Sequence, residues 1–262
     1  MEKLFIVKIG GSLIDDADAL DKFIAYLATI EHKVILVHGG GKMLDETANK
    51  LGIEQKKIDG RRITSKETRD LAVMIYAGLI NKKITALLLS KKKKAIGLSG
   101  VDACTIITKK RELKDIDYGF VGDPFPGGIN HHFINVLLNL NFCPVFSAIT
   151  STPEGELLNT NADTVASVLA VALSSHYKIN LVYCFDKEGV INSEHNNVIP
   201  VLNKHAHKNL VETGSISGGM LPKLKAGFTA LESGAQKVVI THESKLEDVI
   251  KGNFTYGTVL SN

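Results

Sequence analysis

The sequence predicts an α/β protein, a three-layer αβα sandwich with a mostly parallel central sheet. Three observations carry this. Short β-branched runs alternate with amphipathic stretches along the chain. The runs are continuously apolar rather than alternating, as for strands covered on both faces. Glycine-rich turns follow the first two strands, where ligands bind in open α/β sheets.

Leu4-Phe5-Ile6-Val7 reads as the first strand. From Asp18 to Thr29, helical spacing puts Leu20, Phe23, Ile24 and Leu27 on one face. Val34-Ile35-Leu36-Val37 is the second strand, and a helix follows from about Met43 to Leu51. Thr64 and Glu67 read as a capping box opening a long helix through Leu89. Ala95 to Leu98 is a further strand, and residues 104–122, without a helical period, read as hairpins. Helices are expected over Ile129–Leu140, Ala162–Leu173 and Leu221–Leu231, and strands over Val145–Ile149, Ile179–Phe185 and Lys237–Ile240. A soft boundary near Ser174 divides the chain into lobes 1–173 and 174–262.

With 262 residues and 44% apolar composition, the chain can bury a large core. A net charge of +3 is too weak and scattered for a nucleic-acid surface. Its one dense basic run, Lys91 to Lys94, reads as a solvated loop. Three widely spaced cysteines, Cys104, Cys143 and Cys184, form neither a disulfide framework nor a zinc set, which points to a reducing compartment. No signal peptide is evident, and no apolar stretch reaches the ~20 residues of a membrane span. A cytoplasmic protein is expected, with neither membrane nor nucleic acid as partner. The pairs His131-His132 and His205, His207 lack a metal-ligand context, so no protein metal site is expected.

Four segments carry the chemistry. Lys8-Ile9-Gly10-Gly11-Ser12 ends the first strand and His38-Gly39-Gly40-Gly41-Lys42 the second. Asn159-Thr160-Asn161-Ala162-Asp163 and Ser217-Gly218-Gly219-Met220-Leu221-Pro222-Lys223 each open a helix. Glycine lets backbone approach a ligand, and a helix start offers free N–H groups. Two such loops plus two lysines suit several anionic oxygens. There is no G-x-x-x-x-G-K-[ST] and no protein-kinase signature. His38 reads as a packing residue, and Asn161 also stands where an N-cap would.

These segments, with Gly97-Leu98-Ser99-Gly100-Val101-Asp102, resemble the amino acid kinase family in kind and order. Gly60-x-Arg62-Ile63-Thr64 followed by Asn81-Lys82 narrows the resemblance to acetylglutamate kinases. It runs from Lys3 to about Leu260. The resemblance implies that Lys8 and Lys223 neutralise the transferred phosphoryl group and that Asp163 holds both lysines. It implies glycine contacts to phosphoryl or acyl-amino acid at Gly10, Gly11, Gly40 and Gly41. Arg62, Asn159 and Asn161 would bind the acyl-amino acid. Phe185, Asp186, Gly189, Val190, Ser215, Ile216 and Ser217 fall in the ATP loops. ATP with Mg2+ on its phosphates is the implied cofactor, and the first lobe the one for the acyl-amino acid and dimerisation. Arginine-inhibited members carry an extra N-terminal helix that builds a hexameric ring. With strand one opening by Lys3 or Leu4, a homodimer indifferent to arginine is expected, joined through the Ile129–Leu140 segment.

Chemistry fits independently of the resemblance. A γ-carboxyl with pKa near ~4.3 is already a nucleophile at neutral pH, so no general base is needed. Two departures from the family pattern stand out: Phe185 and Lys187 in the nucleotide loop, and Pro124-Phe125-Pro126 in a loop that the resemblance implies lies near the acyl pocket, which opens a longer acyl group such as succinyl. The rival readings are another amino acid kinase, acting on carbamate, glutamate, aspartate or UMP, and a non-catalytic ligand sensor.

Overall fold

The computed structural model describes residues 1–58, 60–113, 115–192, 197–216 and 218–262, and of Pro126 the backbone only. Its central sheet has eight strands in the order Val201–Asn203, Thr258–Ser261, Lys237–His242, Lys178–Phe185, Lys3–Ile9, Lys33–His38, Cys143–Ser147 and Ala95–Leu98. Every pairing is parallel except that between Lys237–His242 and Thr258–Ser261. The first strand, β1 (Lys3–Ile9), and the second, β2 (Lys33–His38), lie at the centre side by side, with Lys8 level with Val37. Consecutive residues of β2 from Val34 to His38 are all buried. Neighbouring side chains of a strand point to opposite faces, so both faces of the sheet are covered. One sheet thus runs unbroken across the boundary expected near Ser174.

Most elements fall where periodicity puts them. The Ala17–Thr29 helix buries Leu20, Phe23, Ile24 and Leu27, and the helix over Ala162–Leu173 has the expected bounds. The cap of the long helix differs. Ser65 Oγ accepts from the Thr68 N–H at 3.2 Å, and the helix starts at Lys66. Thr64 is not the cap because its backbone is already paired: it donates to Tyr118 O and accepts from Phe120 N–H. That helix runs to Ser90 and contains a π-helical stretch, Val73–Ile80, that no sequence pattern announced. By length and composition it could cross a membrane, contrary to expectation. Half of its most apolar window, however, packs inside the protein. The helix Lys204–Glu212 and the short strands Val201–Asn203 and Thr258–Ser261 were also missed. The helix buries no residue, so it leaves little apolar stripe to read.

Beside the sheet's carboxyl edge stand two smaller units. A hairpin joins Lys56–Ile58 to Arg61–Ile63. A four-stranded sheet has the order Leu157–Asn159, Ile149–Ser151, Ile106–Lys110 and Gly122–Ile129. The last two strands pair antiparallel, the hairpin expected after residue 104.

Candidate active site

At the carboxyl ends of β1 and β2 lies a cavity of about 270 Å3. Its floor is a buried charge triad. Asp163, in the first turn of the Ala162–Leu173 helix, accepts on one oxygen from Lys8 Nζ at 2.8 Å and Lys223 Nζ at 3.0 Å. Burial works to raise the Asp163 pKa, but Lys223 and Lys8 together hold it down to about 2. Lys223 is itself buried; desolvation lowers its pKa to about 8, against the pull of Asp163 and with the push of Lys8. The rings of Tyr183 and Phe185 stand 5.1 and 5.3 Å from its ammonium, and Tyr183 OH donates to Asp163 O at 3.2 Å. Two ammoniums against one carboxylate leave the floor one positive charge in excess. Low-dielectric surroundings make that excess attractive to an anion.

The glycine loop after β2 forms one wall. Gly40 adopts φ +155, and a Cβ there would collide with Ile80 and Tyr76 of the π-helical stretch. Only glycine fits. The Gly41–Lys50 helix begins with no side-chain cap, which leaves first-turn N–H groups free for a ligand. Gly10 and Gly11 have no protein atom closer than 3.7 Å to an added Cβ, so a ligand can approach their backbone.

Basic residues line the cavity beside this loop. Arg62 bonds Asp45 and Gln55 and donates to Gly41 O at 3.2 Å. Burial raises the Asp45 pKa, but its hydrogen bonds from Arg62 and Lys57 outweigh that and leave it lowered. Arg111 grips Asp123 through two nitrogens. Arg61 lines the cavity with no acidic partner among the described residues. Asn159 donates to Thr64 Oγ1 at 3.3 Å. Asn161 lines the cavity and also caps its helix, accepting from the Thr164 N–H at 3.1 Å.

Lys8, Asp163, Gly40, Gly41, Arg62, Asn159 and Asn161 thus surround one space, with Lys223 just beneath it. The nucleotide-side candidates lie elsewhere. Gly189 and Val190 are buried, and Val190 N–H donates to Thr258 Oγ1 at 2.8 Å. The Ile216 side chain is in the core, Ser215 bonds Thr213, and Asp186 is exposed. Ser217 lies outside the described residues. Among the described residues of this group, only Phe185 reaches the triad. Lys57, Arg61, Tyr76 and Arg111 also line the cavity and were not singled out from the sequence. Their one signal was the Arg61-Arg62 pair.

A parallel sheet with a glycine-lined, two-lysine anion site at its carboxyl edge is the layout of an α/β phosphotransferase. The chain belongs to the amino acid kinase family, whose sequence profile matches residues 3–242. It is 45% identical to an acetylglutamate kinase of Cytophaga hutchinsonii over 99% of both chains. It is 43% identical to an acetylglutamate kinase of Phocaeicola vulgatus over 94% of this chain and 96% of that one. Among solved structures, smu.665 of Streptococcus mutans shares the fold with a TM-score of 0.79, covering 100% of this chain and 99% of that one at 24% identity.

Proposed function

We propose that this protein transfers the γ-phosphoryl group of ATP to the γ-carboxylate of N-acetyl-L-glutamate. The relatives named acetylglutamate kinase give the substrate. The observation that carries the chemistry is the pair of ammoniums, Lys8 and Lys223, held on one carboxylate of Asp163. A carboxylate oxygen attacks the γ-phosphorus, the bond from that phosphorus to the β–γ bridging oxygen breaks, and ADP leaves with its electron pair. No proton moves. The protein's task is to bring two anions together and to stabilise charge on the phosphoryl oxygens in flight. Lys8 and Lys223 supply the charge, and the backbone N–H groups of Gly11, Gly40 and Gly41 supply fixed dipoles. Arg62 and Asn159 hold the amino-acid end, and the Phe185–Val190 and Ser215–Ser217 segments hold the nucleotide. The first lobe, 1–173, serves the acyl-amino acid and the second, 174–262, the nucleotide.

Among the described residues no cluster of three or more His, Cys, Asp or Glu could hold a metal, and Asp163 is taken up by the lysines. Magnesium therefore fits as a passenger on the nucleotide phosphates, where it offsets their charge.

A second reading concerns the acyl group. The cavity wall carries Lys57, Arg61, Arg62 and Arg111, while Asp45 and Asp123 neutralise only part of that charge. A succinyl group, ending in a third carboxylate, would meet the surplus at Arg61. ADP release measured with N-acetylglutamate, N-succinylglutamate, glutamate, aspartate, carbamate and UMP tests both readings. Turnover confined to N-acylglutamates supports the function, and the better of the two acyl groups decides the pocket. Turnover with carbamate, UMP or a free amino acid, or none at all, overturns it.

We also read the protein as a cytoplasmic homodimer. The thiols are free, and Cys104 is exposed, which suits a reducing compartment. On the Lys66–Ser90 helix Met74 and Leu79 are 64% and 58% exposed, and Val136 and Leu140 are exposed on the His131–Asn139 helix and its cap. Such surface suits a partner subunit. Light scattering should give twice the monomer mass.

A further inference from the structure

We propose that His38 and Asn81 are a positioning pair that fixes the direction of the Gly39–Gly41 backbone, and that turnover depends on the hydrogen bond from His38 to Gly39. The inference rests on reading the cavity as the phosphoryl-transfer site.

His38 ends β2 and is fully buried. An apolar residue would fill such a strand position, and a buried imidazole is costly unless both nitrogens are satisfied. Both are. Nδ1 lies 2.9 Å from Gly39 O, and Nε2 lies 3.1 Å from Asn81 Nδ2.

The tautomer follows from the neighbours. The Asn81 side chain is buried, and its nitrogen faces Val145 O at 2.8 Å and Leu98 O at 3.3 Å. Carbonyls only accept, so the nitrogen, not the oxygen, points that way and toward His38. Nε2 must then accept, which places the ring proton on Nδ1, facing Gly39 O. Burial lowers the His38 pKa to about 4, against the Gly39 bond, so the ring stays neutral at working pH. A neutral ring in one tautomer is a fixed donor.

The consequence falls on the glycine loop. With its carbonyl turned back to the imidazole, Gly39 leaves the next peptides to face the cavity. Asn81 anchors the imidazole to two neighbouring strands, those holding Leu98 and Val145. Gly97 makes room: a Cβ there would collide with Asn81 Oδ1 and Thr85 Oγ1. The π-helical stretch that ends at Ile80, next to Asn81, also presses Tyr76 and Ile80 onto Gly40. The loop is therefore gripped from two directions by one helix.

Three substitutions separate positioning from packing. The amide nitrogen of Asn sits where Nδ1 does, and the amide of Gln reaches where Nε2 does. His38→Asn keeps the donor to Gly39, His38→Gln keeps only the end facing Asn81, and His38→Leu keeps neither. With ATP and N-acetyl-L-glutamate, kcat should fall less than ~10-fold in His38→Asn and ~100-fold or more in His38→Gln and His38→Leu, the scale of a misplacement near 1 Å. Amide hydrogen exchange at Gly39–Lys42 should quicken in the last two only. Loss of kcat that tracks Tm across all three, or equal exchange in His38→Asn and His38→Gln, overturns the proposal. If the wild type turns over no N-acylglutamate, the functional reading has failed, and the exchange comparison alone decides this one. Should the variants not fold, 15N NMR of the wild-type imidazole decides: a neutral ring protonated at Nδ1 is expected, and protonation at Nε2 overturns the assignment.

Discussion

The two halves of the site are built differently. On the side proposed for the substrate, Gly40, Gly41, Arg62 and Asn159 line the cavity, and Arg62 and Asn159 already hold hydrogen bonds to the protein. On the side proposed for the nucleotide, Gly189, Val190 and Ile216 are packed into the structure, Asp186 is exposed, and among the described residues of that group only Phe185 touches the charged floor. The first region holds its polar side chains in place before any ligand arrives. The second would offer mainly backbone and one ring to the proposed nucleotide. Side-chain substitutions should therefore weigh most on the floor, less on the substrate wall and least at the nucleotide loop.

The comparison breaks first at the floor if it is wrong. Lys8→Ala should lower kcat by ~10²-fold or more, as for one lost preorganised charge in the transition state, with a smaller change in ATP affinity. Steady-state kinetics on the folded variant would refute this by near-normal turnover. Arg62→Lys comes next. It keeps the charge but loses the fork that serves Asp45, Gln55 and Gly41 together. Its KM for the acyl-amino acid should rise ~10-fold, the scale of a charged hydrogen bond, with KM for ATP unchanged. An equal rise in both would put Arg62 outside the substrate wall.

Lys223 sharpens the contrast through pH. Its ordinary lysine pKa is lowered to about 8, so the charge it lends the phosphoryl group disappears as pH rises through that value. The pH profile of kcat/KM for ATP, which reports the free enzyme, should fall on the alkaline side with a midpoint near 8, about tenfold per pH unit beyond it. A flat profile to pH 9.5 would mean that Lys223 keeps its proton or does no electrostatic work. The smallest effect is expected at Phe185→Leu. Losing one ring beside the Lys223 ammonium should cost about 0.5–1 kcal/mol, a change of two- to fivefold in kcat/KM for ATP.

Much of this was legible in advance, for reasons particular residues show. Leu20, Phe23, Ile24 and Leu27 announce a buried helix face because burial at helical spacing is a local property of sequence. Glycine doublets at strand ends announce an anion site because the backbone conformation they permit is also local. Arg111 and Tyr76 were not legible, since they come to one cavity only after the Ile106–Lys110 strand and the long helix converge on it. Nor was His38, whose hydrogen bonds depend on an asparagine 43 positions away. The mistaken cap at Thr64 has the same origin, because a long-range pairing with residues 118–120 overrode a local motif.

The π-helical stretch Val73–Ile80 has a consequence for how this chain tolerates length changes. An α-helix turns about 100° per residue. A π-helical stretch holds surplus residues relative to an α-helix of equal rise, so removing one, such as exposed Gly78, is the change the hydrogen-bond ladder could absorb most easily. The shortened helix would be more regular and no less stable on its own terms. Because a π-helix turns the chain less per residue than an α-helix, the path from Tyr76 to Asn81 would keep nearly the same total rotation with one residue fewer, and Asn81 would still face His38. A deletion in the α-helical turns Lys66–Ala72 has no such slack and would rotate the rest of the helix by about 100°, so single-residue deletions among natural variants should fall within Val73–Ile80 and spare the turns before it.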